Sequence, residues 1–118
     1  MIDRQHKRIV SLINDLHSLV VDGKDPSATY RVFSELAVTA AHHFVTEEVL
    51  MEFTRYPGLL AHQAEHRQLL DRVGLLKQDC DAGRGAVSIQ VTDFLRTWIV
   101  EHTAKSDQKY KPFLQRFL

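Results

Sequence analysis

The sequence lacks the features that mark a secreted or membrane-bound protein. It has a single cysteine, Cys80, so no disulfide can form within the chain, and a reducing compartment is the simpler expectation. No apolar run approaches the roughly 18 to 20 residues that a membrane-spanning helix needs, and the N-terminus MIDRQHKR has no apolar signal-peptide core. We therefore expect a cytoplasmic protein, with no membrane contact from this segment.

The chain also lacks an excess of charge of either sign. Its 118 residues include 15 Lys plus Arg and 15 Asp plus Glu, so the formal net charge is zero. Proteins that bind nucleic acid or anionic membranes usually carry a basic surface, and neither partner is expected here. This length is enough for one domain to bury a core without cross-links, and we predict a single domain over residues 1–118.

Proline and glycine are scarce, and their positions divide the chain into helices. The three prolines and five glycines fall almost entirely at three breaks, which are Gly23 with Asp25-Pro26, Tyr56-Pro57-Gly58, and Gly83 with Gly85. Between the breaks the apolar residues recur at helical spacing, with no strand-like alternation. The pattern predicts an all-α protein: an up-down-up-down antiparallel four-helix bundle. A short C-terminal helix, roughly Asp107 to Leu118, is limited by Pro112 to a turn or two.

Polar residues interrupt the apolar face of every predicted helix. The inward positions that they occupy are His6 in the first segment, His43 and Glu47 in the second, His62 and His66 in the third, and His102 in the fourth. Because antiparallel helices place residues equidistant from a turn at the same level, these groups are predicted to share one slab of the core. His42 is rotated by about 100° from the inward face, and His17 lies about three turns from His6, so both are excluded.

A buried cluster of five imidazoles and a carboxylate favours a metal site. Hydrogen bonds within the cluster alone would leave several ring nitrogens unsatisfied, whereas two imidazoles four residues apart can bind one transition-metal ion. Five imidazoles exceed the needs of one tetrahedral zinc ion, so two ions joined by a bridging carboxylate fit better. Glu47 is one candidate bridge.

A second bridging carboxylate is expected near His102, and the spacing leaves its identity open. Glu48, Glu101 and Asp107 compete for the role. Glu48 and Glu101 are sequence neighbours of inward residues and are expected to face away. Asp107 follows His102 by five residues, about 140° around an ideal helix, so it can join only if the helix ends or loosens near Thr103 to Ser106.

The motifs around these residues resemble those of the hemerythrins, in particular bacterial hemerythrin-like domains. DRQHKRIV, HHFVTEEVLM followed by YPGLLAHQAEH, and WIVEHTAKSD carry the spacings His-xxx-Glu, His-xxx-His and His-xxxx-Asp in order, over nearly the whole chain. The resemblance implies two iron ions (Fe2+/Fe3+) bridged by an oxo or hydroxo group and two carboxylates. The ligands that it implies are His62, His66 and His102 on one iron, His6 and His43 on the other, and Glu47 and Asp107 as bridges.

The resemblance further implies reversible dioxygen binding at the iron that has two histidines, rather than catalysis. Carboxylate-rich di-iron sites in helix bundles belong to the ferritin-like class, whereas imidazoles dominate this site. A dry oxygen pocket is expected from Phe44, Trp98 and Ile99, which neighbour the ligands; Ile99 is where the family tends to place a bulky aliphatic residue. Ordinary core packing would also account for these three residues.

Several functions are compatible with such a site. The domain could carry or store oxygen, or it could be the oxygen- or redox-sensing domain of a larger signalling protein. The alternatives are a di-iron oxidase or peroxidase and a bundle with a structural metal such as zinc. Hemerythrins usually have an arm, often with a tryptophan, before the first histidine motif, whereas here Met1 and Ile2 lead directly into that motif. We therefore expect a domain without its N-terminal arm, either excised from a larger protein or a short free-standing form.

Overall fold

The computed structural model describes residues 2–83 and 86–116, and every regular element in them is helical. This confirms the predicted fold class. Met1, Gly85 and Leu118, which entered the sequence predictions, lie outside the described residues. The elements are α1 (Ile2–Asp22), α2 (Pro26–Phe53), α3 (Leu59–Asp81), α4 (Ile89–Glu101), a π-helix (His102–Asp107) and α5 (Gln108–Gln115).

The break predicted at Gly23 with Asp25-Pro26 is the turn between α1 and α2. Gly23 adopts a left-handed conformation with φ +66°, which ends α1 without the steric penalty of a side chain. Asp25 then caps α2, because its side chain accepts a hydrogen bond from the backbone N–H of Ala28, and Pro26 occupies the first helical turn. Ser88 caps α4 in the same way. At the second break the left-handed residue is Arg55, with φ 55°.

The helices bury one apolar core. α1 packs against α2 and α4, and α2 also packs against α3 and α5. The centre of the core is filled by apolar side chains from the helices, including Ile9, Leu12, Leu16, Phe33 and Leu95. Across the described ranges, no helix is long and apolar enough to cross a membrane.

The fourth helix continues into α5 through the π-helix. The six residues from His102 to Asp107 form a wider turn, in which backbone hydrogen bonds reach one residue further than in an α-helix. This is the segment in which the sequence required a loosened helix if Asp107 was to face inward. Pro112 lies inside α5, an eight-residue helix, so the predicted short C-terminal helix is present.

Candidate metal centre

Seven side chains converge at the end of the bundle that carries the α2–α3 turn. They come from α1, α2, α3 and the π-helix, and they are the seven residues that the resemblance implied: His6, His43, Glu47, His62, His66, His102 and Asp107. All except His6, which is partly covered, are buried. The level predicted from the numbering of the turns is therefore the level at which the side chains meet.

Glu47 directs its two carboxylate oxygens to two different groups of histidines. Its Oε1 lies 3.1 Å from Nε2 of His62 and 3.1 Å from Nε2 of His66. Its Oε2 lies 2.9 Å from Nε2 of His43 and 3.4 Å from Nε2 of His6. A carboxylate in this position can give one oxygen to each of two ions.

Asp107, on the other side of the cluster, also directs its two carboxylate oxygens to different histidines. Its Oδ1 lies 3.0 Å from Nε2 of His62 and 3.2 Å from Nε2 of His102, whereas its Oδ2 lies 3.0 Å from Nε2 of His6. The two carboxylates thus separate a group of three histidines from a group of two. Among residues 2–83 and 86–116, two groups of ligand atoms are compact enough to hold an ion, and Glu47 belongs to both.

Three of the histidines are oriented by hydrogen bonds at their second ring nitrogen. Nδ1 of His43 lies 2.6 Å from Oε1 of Gln5, and Nδ1 of His102 lies 2.6 Å from Oε2 of Glu65. The same Glu65 oxygen accepts a hydrogen bond from the Ser106 hydroxyl. These acceptors bind an Nδ1–H, so in the neutral ring Nε2 keeps its lone pair and points it into the cluster.

Glu48 orients the third of these histidines, contrary to the expectation that it faces away. Its Oε2 lies 2.9 Å from Nδ1 of His66, and its side chain is 26 % exposed. The expectation was wrong because a glutamate at the edge of the inward face can reach across to the next helix. Glu101 is exposed, as expected. Gln5 and Glu65 were not predicted from the sequence, although each directly precedes a histidine of the cluster, His6 or His66.

The cluster fits metal ions better than it fits internal hydrogen bonds. Nε2 of His6 and of His43 and both oxygens of Asp107 are buried, and no described residue completes a well-directed hydrogen bond to them, although the separations are short. Nε2 of His66 and Nε2 of His102 lie 3.1 Å apart, each on a ring whose Nδ1 is held by a carboxylate. Two such lone pairs need a cation near them. Imidazole and carboxylate ligands without thiolate suit iron in proteins.

Without a metal, protons take the place of the cations. Burial lowers the pKa of His6, but the carboxylates of Asp107 and Glu47 outweigh it and raise that pKa to about 9. Burial also lowers the pKa of His102, and the same two carboxylates, with Glu65, raise it to about 10. Burial raises the pKa of Glu47 and of Asp107, but the surrounding histidines hold both well below the usual range. Positive charge is therefore favoured at this position.

Aromatic and aliphatic side chains cover the inner side of the cluster. Phe44 stacks on His66 with ring centroids 3.9 Å apart and an interplanar angle of 7°, and Trp98 stacks on His102 at 4.5 Å and 16°. Phe44 and the buried Ile99 line an apolar cavity of about 20 Å³, which Trp98 does not line. Of the three expected pocket residues, two thus share a cavity and the third packs on a cluster histidine.

The residues excluded at the sequence level lie away from the cluster. Nδ1 of His17 lies 3.0 Å from the Thr92 hydroxyl, and His42 is exposed. Cys80 is half-buried, and it lines a groove at the opposite end of the bundle with Gly23 and Val87. It therefore contributes no thiolate to the cluster.

Comparison with known proteins gives one consistent family. The sequence-family model of the hemerythrin HHE cation binding domain matches residues 1–114 of this chain. The chain is 34% identical to the bacteriohemerythrin of Methylococcus capsulatus over 112 residues, which cover 95% of this chain and 85% of that protein. It is 36% identical to the bacteriohemerythrin of Pseudomonas aeruginosa over 110 residues, with 93% and 71% covered. A crystal structure of wild-type hemerythrin superposes with a TM-score of 0.92 at 34% identity, covering 96% of this chain and 86% of that one.

Proposed function

The chain belongs to the hemerythrin family, and from this we propose that its seven convergent side chains hold two iron ions that bind dioxygen reversibly. One observation carries the proposal. Each of the two buried carboxylates, Glu47 and Asp107, offers one oxygen to a group of histidines on one side and its other oxygen to a group on the opposite side. A single ion would not require this division.

In the proposed assignment the two ions differ in their number of protein ligands. Three histidines would hold one iron and two would hold the other, and each carboxylate would offer one oxygen to either iron. The ligands are His62, His66 and His102 for the first, His6 and His43 for the second, and Glu47 and Asp107 as bridges. The second iron would have one protein ligand fewer, which would leave room for dioxygen. An iron pair held there would supply the electrons for reversible dioxygen binding.

The protein's own contribution is to orient the ligands and to exclude water. Gln5, Glu48 and Glu65 hold the rings of three histidines, so that their Nε2 atoms face the ions without further rearrangement. We assign the oxygen pocket to Phe44, Trp98 and Ile99. Their apolar surfaces offer no proton donor to bound oxygen, except the indole N–H of Trp98, and the stacking of that ring on His102 fixes its position.

The ligand set supports binding rather than catalysis. Hemerythrins bind oxygen and are not enzymes. Neutral imidazoles stabilise ferrous ions more than the carboxylate-rich sets of ferritin-like proteins do, and they favour high oxidation states less. We propose that the domain, residues 1–118, serves as an oxygen carrier or store, or as the sensory domain of a larger signalling protein in the cytoplasm.

The test combines metal analysis with optical spectra. We expect two irons per chain and, in the reduced protein, a visible absorption band that appears with oxygen and disappears under vacuum. His43→Ala should abolish the band, whereas His42→Ala should leave it, because His42 is its exposed neighbour outside the cluster. A protein that contains zinc and develops no band would refute the proposal, and a band that decays during turnover of a substrate would favour an oxidase.

A further inference from the structure

The outward face of α2 is apolar where a surface helix is usually charged. Val38, Val45 and Val49 are 65 %, 63 % and 59 % exposed. At about 100° per residue, Val45 and Val49 lie within about 20° of Val38 around the helix, so the three form one ridge. The buried side of α2, which includes Phe33, Ala40 and Glu47, lies on the opposite face. The ridge therefore points directly away from the bundle.

The central part of the ridge also contains no charged residue. The stretch LAVTAAHHFVT, residues 36–46, contains no Asp, Glu, Lys or Arg. A helix that is apolar on two opposite faces normally has both faces covered, and contiguous apolar patches on the surface of soluble proteins commonly mark interaction sites.

Charges at the two ends of the ridge indicate what covers it. Arg31 lies on the ridge face before Val38, and Glu52 lies beside that face after Val49; both are exposed. Within the described residues neither forms an ion pair. They are equidistant from the midpoint between Ala41 and His42, and so are Val38 and Val45. Two copies of α2 that cross antiparallel at this midpoint would place Val38 of each copy on Val45 of the other and Arg31 of each copy beside Glu52 of the other.

We propose that this face is the interface of a symmetric homodimer, formed by α2 packing antiparallel against α2 of a second copy. An interface with two-fold symmetry needs a surface complementary to itself, and the ridge has this property in one orientation. A parallel arrangement would place Arg31 against Arg31 and Glu52 against Glu52. The metal centre lies on the opposite side of α2, inside the bundle. Its seven residues are therefore not part of this surface.

Sedimentation equilibrium of the iron-loaded 118-residue chain tests the proposal. We expect a mass about twice the 13.6 kDa of one chain at high concentration, with dissociation on dilution. Val45→Glu places like charges in the centre of the interface and should give a monomer. Leu75→Glu is the matched control: Leu75 is 61 % exposed on α3, and its replacement should leave the dimer intact. Iron content and circular dichroism verify that each variant is folded.

A charge exchange tests the antiparallel register separately. Arg31→Glu should weaken the dimer by about tenfold or more, because it brings two glutamates together at each end of the interface. The double variant Arg31→Glu with Glu52→Arg restores opposite charges and should recover most of the affinity. A wild-type protein that stays monomeric up to about 1 mM would overturn the proposal. So would a dimer that Leu75→Glu weakens as much as Val45→Glu, or a double variant that does not recover.

Discussion

His102 and Asp107 lie at the two ends of one π-helical segment, and Nε2 of His102 is 3.2 Å from Oδ1 of Asp107. In a regular α-helix a separation of five residues turns the second side chain by about 140° from the first, which would point Asp107 away from the cluster. The wider turn compensates for the additional residue. The position of the second carboxylate thus depends on the backbone as well as on the residue type.

Changing the number of residues in this segment tests that dependence. Deleting the exposed Lys105 places the aspartate four residues after His102 instead of five. On an α-helix, two residues four apart lie on nearly the same face, within about 40° of each other. We therefore expect the deletion variant to become α-helical there and to retain both irons. Inserting one alanine after Lys105 places the aspartate six residues after His102. Neither an α-helix nor a π-helix brings two residues six apart to the same face.

The insertion variant should lose at least one iron per chain. Metal analysis of purified protein measures the outcome, and Lys105→Ala serves as the control of unchanged length. A deletion variant without iron would show that the site requires the π-helix itself rather than the face on which Asp107 lies.

The same segment marks the limit of what the sequence could predict. Helical periodicity and the positions of the turns placed His6, His43, His62, His66 and His102 at one level, because these quantities depend only on residue numbers and helix geometry. Periodicity could not choose Asp107, since a π-helix changes the angle per residue, and that choice came from the resemblance to hemerythrins.

Helical periodicity also could not predict the contacts between side chains on neighbouring helices. Glu65 lies outside the inward stripe of α3, yet its carboxylate reaches His102 on another helix. Whether a long side chain at the edge of a stripe turns inward depends on its rotamer and on its partner across the gap. Neither quantity can be read from spacing within one helix, which explains both the missed Gln5 and the wrong expectation for Glu48.

Glu65 provides a test of the hydrogen bonds that orient the ligands. Glu65→Ala removes the acceptor of both His102 Nδ1–H and the Ser106 hydroxyl, and it should weaken iron binding by about tenfold to 100-fold. Competition with a chelator under anaerobic conditions measures the affinity. Glu65→Gln keeps an acceptor oxygen and should recover part of the loss, whereas Glu101→Ala, an exposed glutamate next to His102, should have no effect. Equal losses in the alanine and glutamine variants would argue against the orienting role.

Alanine substitutions at Ile99 and Ile13 distinguish a pocket that excludes water from ordinary core packing. Both are buried and line the same apolar cavity, but only Ile99 lies near the cluster, one helical turn before His102. Either Ile→Ala substitution should lower the free energy of unfolding by about 2 to 5 kcal/mol, measured with urea. Only Ile99→Ala should also speed the loss of the oxygenated absorption band, because it admits water beside bound oxygen. Similar rates in the two variants would remove Ile99 from the proposed pocket.

The raised histidine pKa values predict that iron binding releases protons. In the metal-free protein the pKa of His6 is about 9 and that of His102 is about 10, so both rings are charged at pH 7. An iron ligand must be a neutral imidazole, and loading therefore expels these two protons, in addition to the share held by His62, whose pKa the same two carboxylates also raise. As the pH approaches 9, His6 is already partly neutral and the release must fall.

Anaerobic titration with ferrous ion in weakly buffered solution measures the released protons directly. Replacing His17, whose ring contacts Thr92 away from the cluster, by glutamine should leave the number unchanged. The direction of the pH dependence is decisive. If the carboxylates did not hold protons on the rings, His6 and His102 would be neutral at pH 7 and loading would release none from them. A release that is absent at pH 7, or that grows between pH 7 and 9, would therefore contradict the charge state assigned to the metal-free site.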